Sequence, residues 1–397
     1  MIQVDNQTKE KRLIYHVKGK SKGSTIVFFA GIHGNEQAGV EALKKVLPSI
    51  KEDTISGDIY GVYGNINAIR QNKRYLNNDL NRMWTKTHID ALKHKSEYTS
   101  EEKEQLSIYN FINTLLSNTS TPVYFIDFHT TSSKTLPFVT INDALINRKF
   151  SKHFPVPVVL GIEEYLEGPL LSYLNKLGYV SLGFEAGQHN DKASIENFES
   201  FIHLSCYCSG IYKEQPKDFI RHHNTLKKAA LNNRKVYEVI YKYHINNGEN
   251  FQMKNGFKSF QPIKKGTHLA TSDEKPVFAK SSHELFMPLY QNKGNDGFFI
   301  IKPIPNYILE LSARLRNLKG DCLLTFLPGI KWHNKDSGVL QVNVKIARFM
   351  AKPIFHLLGY RNKQKDDTHF LLYNRERVSN KIMYEDLPWY KIKKRHP

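Results

Sequence analysis

Thr25-Ile26-Val27-Phe28-Phe29-Ala30, followed without a gap by Gly31-Ile32-His33-Gly34-Asn35-Glu36, is an apolar run that ends in a short polar loop. The β-branched and aromatic run predicts a buried strand opening into a tight turn. In that turn His33 and Glu36 lie three positions apart, and both are residue types that bind zinc. Gly31 and Gly34 permit the sharp bend that lets the two side chains face one ion. The alternative is a polar turn with an incidental histidine.

Apolar runs alternate with helical patterns from about residue 25 to residue 200, which is typical of an α/β domain. We predict a helix from Glu36 to Leu47 that ends at Pro48, and a second helix capped by Ser100. A third predicted helix, residues 170–177, is closed by Gly178. Further buried strands are predicted at residues 59–64, 122–128 and 179–184.

The character of the chain changes twice after this domain. Residues 190–235 are expected to be helical, and short strands with Gly, Pro and Lys turns follow to about residue 305. We therefore predict an α/β catalytic domain in residues 1–235, a smaller β-rich domain in residues 236–304 and a basic C-terminal extension in residues 305–397. The sequence suggests no role for the extension.

Four segments carry the residues with catalytic potential, and three of them lie at the end of a predicted strand. Ligands bind beyond the carboxyl ends of strands in open α/β sheets, so these segments are expected to share one cleft. His33, Glu36 and His129 would leave an open zinc position for water, which is typical of a catalytic site. Glu185 is a further carboxylate that could take a proton from the water and deliver it to a leaving nitrogen.

The ordered motifs HGNE (33–36), RYLNNDLNR (74–82), DFHTTS (127–132) and FEAG (184–187) resemble the succinylglutamate desuccinylase/aspartoacylase family of the zinc carboxypeptidase superfamily. The resemblance covers about residues 25–300 and includes segments 256–266 and 287–290. It implies a mixed-sheet, zinc-carboxypeptidase-like catalytic domain that binds one Zn²⁺ per chain.

The resemblance also implies roles for single residues. His33, Glu36 and His129 would bind zinc, and Glu185 would act as general base and acid. Arg74 would stabilise the oxyanion. The substrate's α-carboxylate would be held by Asn81 and Arg82, the latter as a bidentate partner. Asp79 and Asp127 would support these groups, and Asn65 is expected to be a turn residue.

The expected function is hydrolysis of the amide bond in a small, anionic N-acyl-α-amino acid, that is, of a carbon–nitrogen bond other than a peptide bond. A metallocarboxypeptidase that removes a C-terminal residue would use the same groups and remains the alternative. Aspartoacylases proper place a Tyr and an Arg before the catalytic Glu, to bind the side-chain carboxylate of the substrate. Leu171 and Asn175 stand there in this chain, so the sequence names neither the acyl group nor the amino acid.

Composition limits the remaining function classes. The 397 residues carry 57 Lys+Arg against 38 Asp+Glu, a net charge of +19. Because the basic residues are scattered and lack a nucleic-acid-binding motif, we expect a solvated basic surface that attracts anionic substrates and does not bind nucleic acid. A basic nucleic-acid-binding protein without catalysis remains a remote alternative.

Three cysteines, a polar N-terminus and the lack of a long apolar stretch favour a cytoplasmic protein that does not enter a membrane. The oligomeric state stays open, with a homodimer as one alternative. The remaining noted histidines are expected to be core or surface residues: His189, His203, His222 and His223.

Overall fold

The computed structural model describes residues 12–318, 324–335, 338–343, 351–364 and 369–391. Its strands are β1 Leu13–Lys18, β2 Ser21–Ala30, β3 Ser56–Tyr63, β4 Val123–Thr131, β5 Phe138–Ile141, β6 Val158–Leu160, β7 Val180–Gln188, β8 Val236–His244, β9 Phe251–Met253, β10 Gln261–Pro262, β11 His268–Ser272, β12 Lys275–Phe278, β13 Glu284–Phe286, β14 Asp296–Pro303, β15 Ile330–Asn334, β16 Val339–Asn343, β17 Tyr360–Gln364 and β18 His369–Asn374.

The α-helices among these residues are Ala38–Val46, Ile66–Arg70, Lys86–Leu92, Ser100–Ser117, Leu145–Ser151, Leu170–Lys176, Lys192–Cys208, Phe219–Ala229, Asn306–Asn317, Ala351–Leu357 and Pro388–Lys391. Short 3₁₀ turns occur at Leu47–Ser49, Glu52–Thr54, Leu80–Arg82, Ile162–Glu164 and Lys381–Tyr384. None of the helices in the described part of the chain is long and apolar enough to cross a bilayer.

A large mixed sheet organises the molecule, as the sequence predicts. Its order is β1-β3-β2-β4-β7-β5-β6-β8-β14-β13-β10. The central strands β3, β2, β4 and β7 are parallel, whereas β5 runs antiparallel to β7. The parallel strands therefore bring their carboxyl ends to one edge, where the predicted functional segments meet.

Helices cover both faces of this sheet, which explains why its central strands are apolar on both sides. Alternate residues of β2 belong to two different cores: Ile26 and Phe28 to one, Val27 and Phe29 to the other. The first core includes residues of the helix Lys192–Cys208, and the second includes residues of the helix Ser100–Ser117. The buried, apolar second half of β2 holds the loop that follows it in a fixed position.

Several element ends differ from the sequence predictions. The helix predicted from Glu36 begins at Ala38, and Pro48 lies in a 3₁₀ turn that continues from it. Thr99, not Ser100, is the N-cap of the helix Ser100–Ser117, because its side chain and Glu102 form a capping box. Strand β4 extends to Thr131, so His129 lies within the strand instead of just past it. Strand β7 likewise extends beyond Glu185 to Gln188.

The segment predicted as a small β domain contributes to two sheets. Strands β8, β14, β13 and β10 continue the large sheet, while β9, β11 and β12 form a separate three-stranded sheet. The extension contains a four-stranded sheet of β15–β18 and helices. Its Tyr384 and Trp389 are buried in the main core. The division at residues 235 and 304 stays a prediction.

Candidate metal centre and active-site cleft

The loop after β2 has the tight geometry that its glycines suggest. Gly31 has a φ of +73°, a conformation that favours glycine. A side chain on Gly34 would place its Cβ only 2.1 Å from the backbone carbon of Ala68, so a larger residue would not fit. These two glycines let the loop fold against the segment around Ala68 and turn His33 and Glu36 towards β4.

His33, Glu36 and His129 form a compact buried cluster. Glu36 Oε1 lies 2.8 Å from His33 Nδ1, and Glu36 Oε2 lies 2.9 Å from His129 Nδ1. One donor atom from each of the three residues lies within 4.8 Å of the others. The residues are at most 8% exposed. This arrangement suits a divalent metal ion, because three buried nitrogen and oxygen donors converge on one point.

Each histidine ring contacts one further carboxylate on its far side. Asp79 Oδ1 lies 3.2 Å from His33 Nε2, and Asp127 Oδ2 lies 2.9 Å from His129 Nε2. A histidine that binds a metal usually donates its other ring N–H to a carboxylate in this way. The Nδ1 atoms are therefore left facing Glu36 and the space between the three donors. The donor set fits zinc.

Electrostatics keep Glu36 ionised despite its burial. Burial raises the pKa of a carboxyl group, but the adjacent His33 and His129 lower the pKa of Glu36 well below its usual value. For His129, burial acts to lower the pKa, and the charges of Asp127 and Glu36 more than reverse this, so its pKa lies well above normal. Two histidines between three carboxylates form a negatively charged cage, which is the environment a cation would neutralise.

Glu185 lies directly opposite His129 in the β4–β7 register. Its side chain is 8% exposed, and its Oε2 is buried without a hydrogen-bond partner among the described residues. Burial, together with the negative charges of Glu36 and Asp127, raises the pKa of Glu185 to about 8, although His129 acts in the opposite direction. A carboxyl group with a pKa near neutrality can both accept and return a proton.

Arg74 reaches the same cluster from the loop after Arg70. Its guanidinium lies 3.4 Å from Glu36 Oε1 and 3.3 Å from Asp79 Oδ2. Its Nε is buried and has no acceptor in the described part of the chain. The buried Glu101 holds this loop, because its carboxylate accepts the backbone N–H groups of residues 76, 77 and 78 at 2.7, 3.0 and 3.3 Å. Glu101 also accepts a hydrogen bond from Asn65, which caps the helix Ile66–Arg70 as a turn residue.

Asn81 and Arg82 lie at the end of this loop, and both have protein partners. Asn81 Oδ1 accepts the backbone N–H of Leu170 at 2.9 Å. Arg82 Nη2 lies 2.8 Å from Asp296 Oδ2, and Lys242 Nζ lies 3.1 Å from the other oxygen of the same carboxylate. Two cations share one anion here, so the group keeps one net positive charge.

One cavity of about 490 Å³ joins the cluster of His33, Glu36 and His129 to Glu185 and to the two arginines. Its lining contains the seven residues that the sequence predicts, namely His33, Glu36, Arg74, Asn81, Arg82, His129 and Glu185. Among the described residues it also has more acidic than basic side chains, in contrast to the net charge of the whole chain. The cations that line the cavity are each paired with a carboxylate: Arg74, Arg82 and Lys242.

Sequence reasoning missed three residues of the cleft. The sequence predicts that His189 is a core or surface residue, yet it lines the cavity, and its Nδ1 lies 2.7 Å from Thr130 Oγ1. Its position four residues after Glu185 at the end of β7 could have indicated this. Lys242 and Asp296 belong to no motif, and only the pairing of β8 with β14 brings them together. By contrast, His203 and His222 stack on each other away from the cleft, with ring centroids 4.4 Å apart.

Part of the chain is similar in sequence to a known family of catalytic domains. Residues 22–202 match the family model described as the succinylglutamate desuccinylase/aspartoacylase catalytic domain. The chain is similar to the succinylglutamate desuccinylase of Photorhabdus laumondii, with 33% identity over 121 residues. That match covers 30% of this chain and 36% of the relative, so it spans about a third of the relative's length.

Solved structures extend the likeness in fold. A succinylglutamate desuccinylase/aspartoacylase from Rhodobacter sphaeroides superposes with a TM-score of 0.56 at 14% identity, over 73% of this chain and 88% of the other. The product-bound ectoine utilization protein EutE (DoeB) from Ruegeria pomeroyi gives a TM-score of 0.55 at 18% identity, over 72% and 87% of the two chains. At this level of identity the likeness shows a shared fold.

Proposed function

We propose that the protein is a zinc-dependent amidohydrolase that releases the acyl group from a small N-acyl-α-amino acid, because residues 22–202 match the catalytic-domain model of the succinylglutamate desuccinylase/aspartoacylase family. One observation carries this proposal: three metal-binding donors converge, from His33, Glu36 and His129, and Glu185 lies opposite His129 in the adjacent strand. The three donors would hold Zn²⁺, which supplies a Lewis acid that lowers the pKa of water and polarises a carbonyl group.

The chain's own residues account for the proton transfers. Glu185 takes a proton from the attacking water as the water oxygen bonds to the amide carbon, and it returns that proton to the nitrogen when the carbon–nitrogen bond breaks. Its place opposite His129 in the strand pair suits both steps, since the carboxyl group must be a base first and an acid afterwards. Arg74 places a fixed guanidinium beside Glu36, where it stabilises the negative charge that develops on the carbonyl oxygen.

The substrate's α-carboxylate would bind at Arg82. The single net positive charge shared by Arg82, Lys242 and Asp296 matches one carboxylate. Asn81 lies beside Arg82 and is held in place by the backbone of Leu170. This end of the cleft therefore supports recognition of a free amino-acid carboxylate.

A release assay tests the proposal. Zinc-loaded protein is incubated with a panel of N-acetyl and N-succinyl amino acids and with short peptides, and free amino acid is quantified. We expect turnover of N-acyl amino acids and little release from peptides. Preferential release of C-terminal residues from peptides would indicate a carboxypeptidase, and no release from any substrate would contradict the proposal.

A further inference from the structure

The C-terminal extension contacts the two segments that form one wall of the cleft. Asn142 lines the cavity, as do residues 162, 163 and 165–167, and both segments meet residues of the extension on their outer side. We propose that Arg316 and His356 are positioning residues of the extension, which hold this wall and through it the carboxylate-binding group at Arg82. The part of this inference that concerns substrate binding rests on the proposed function.

Arg316 ties the extension to the first wall segment. Its side chain is completely buried and lies 2.8 Å from Asp143 Oδ2, and it also donates to the Asp143 backbone oxygen at 2.8 Å. Asp143 directly follows Asn142, which lines the cavity. The same guanidinium donates to the backbone oxygens of His356 at 2.8 Å and Leu357 at 3.2 Å. One side chain therefore fixes the end of the helix Ala351–Leu357 relative to the cavity wall.

His356 reaches the second wall segment from that fixed position. Its Nε2 lies 2.8 Å from Glu164 Oε1, and its Nδ1 lies 3.9 Å from Glu238 Oε2. Glu164 closes the 3₁₀ turn Ile162–Glu164, and its neighbours Glu163 and Tyr165 line the cavity. The His356 and Glu164 side chains are only 16% and 7% exposed. Water therefore screens this contact less than it would at the surface.

A short series of contacts connects this turn to Arg82. The backbone oxygen of Tyr165 accepts a hydrogen bond from Lys242 Nζ at 2.6 Å. Lys242 in turn pairs with Asp296, which pairs with Arg82. If His356 no longer held the turn, Tyr165 would move and Lys242 would lose a fixed acceptor. The expected result is weaker binding of the substrate carboxylate, while the groups around Glu185 stay in place.

The test compares His356→Gln, Glu164→Gln and the double variant with the wild type. His333→Gln is the matched control, because it makes the same replacement at an exposed histidine of the extension. Hydrogen exchange of residues 162–166 is measured first. We expect faster exchange in His356→Gln and wild-type exchange in His333→Gln. Unchanged exchange in His356→Gln would overturn the inference, whether or not the protein turns over any substrate.

Kinetics on the N-acetyl amino acid that the wild type hydrolyses best supply the second readout. We expect KM to rise about 3- to 30-fold in His356→Gln, with kcat changed less than about threefold. The double variant should raise KM by less than the product of the two single effects, because both changes break one contact. A fall in kcat as large as the rise in KM would overturn the inference, and so would additive effects in the double variant. Faster exchange without any turnover by the wild type would instead contradict the proposed function alone.

Discussion

Replacing Arg82 with alanine is expected to weaken substrate binding far more than it slows the chemical step. Arg82 and Lys242 share Asp296, so the wild-type group offers one net positive charge to the substrate. Arg82→Ala leaves a neutral Lys242–Asp296 pair. A hydrogen bond to a charged group contributes about 1.5–3 kcal/mol, and because the Arg82 side chain is 30% exposed, solvent screening favours the lower part of that range. At about 2 kcal/mol, KM should rise roughly 30-fold.

The assay compares an N-acetyl amino acid with its α-carboxamide. The wild type should bind the carboxamide about 30-fold more weakly, because the amide lacks the charge that pairs with Arg82. Arg82→Ala should no longer distinguish the two substrates, and its kcat should stay within about threefold of the wild type. Arg70→Ala is the control, since Arg70 is exposed on the preceding helix. Continued discrimination by Arg82→Ala between acid and amide would refute this reasoning.

Arg74→Ala should have the opposite profile. Arg74 faces Glu36 and not Asp296, so its loss should mainly lower kcat. We expect the activation free energy to rise by about 3 kcal/mol, the usual effect of removing a group that stabilises an oxyanion. KM should change little by comparison. Similar increases in KM for the two variants, without a loss of kcat, would contradict the separate roles of the two arginines.

Three further predictions follow from the cleft and the core. Glu185→Gln should retain bound zinc and lose about 10²- to 10⁴-fold in kcat, and a wild-type kcat in a folded variant would place the general base elsewhere. N-acetylaspartate should have a lower kcat/KM than N-acetyl derivatives of neutral amino acids, because the α-carboxylate takes the one net positive charge of the Arg82, Lys242 and Asp296 group. Arg74 is already paired with Glu36 and Asp79. A higher value would show that Lys242 or another cation binds a second carboxylate. Burial, together with the nearby His222, lowers the pKa of His203 from 6.5 to about 4. As the pH falls, the unfolded chain therefore binds a proton at this position before the folded protein does. The stabilisation that is present above about pH 6.5 is lost as the pH falls towards 4. His203→Gln should reduce that loss, measured as the change in urea midpoint between pH 7 and pH 5.

The parts of the site that follow strands were predictable from sequence. The apolar run before Gly31 identifies a strand buried on both faces, and the parallel neighbours of such a strand end at the same edge. His33, Glu36, His129 and Glu185 therefore meet as expected. The ends of the strands were less predictable, because the polar His129 and Glu185 continue β4 and β7 instead of terminating them.

The partners of the arginines could not be predicted, because they come from distant parts of the chain. Asp296 is 214 residues from Arg82 in sequence, and nothing near either residue indicates the pair. The extension presents the same difficulty. Trp389 donates a hydrogen bond to the Tyr124 hydroxyl at 2.8 Å beneath β4, a contact that composition and periodicity do not reveal. The sequence therefore suggests no role for this basic segment, whereas its Tyr384 and Trp389 are buried in the main core.

The metal content of the purified protein tests the central claim most directly. Elemental analysis should find one zinc ion per chain in the wild type and in Glu185→Gln, because Glu185 is not among the three converging donors. His33→Ala and His129→Ala should each lose the metal and the activity together. The absence of a stoichiometric divalent metal from the wild type, even after reloading, would contradict the account.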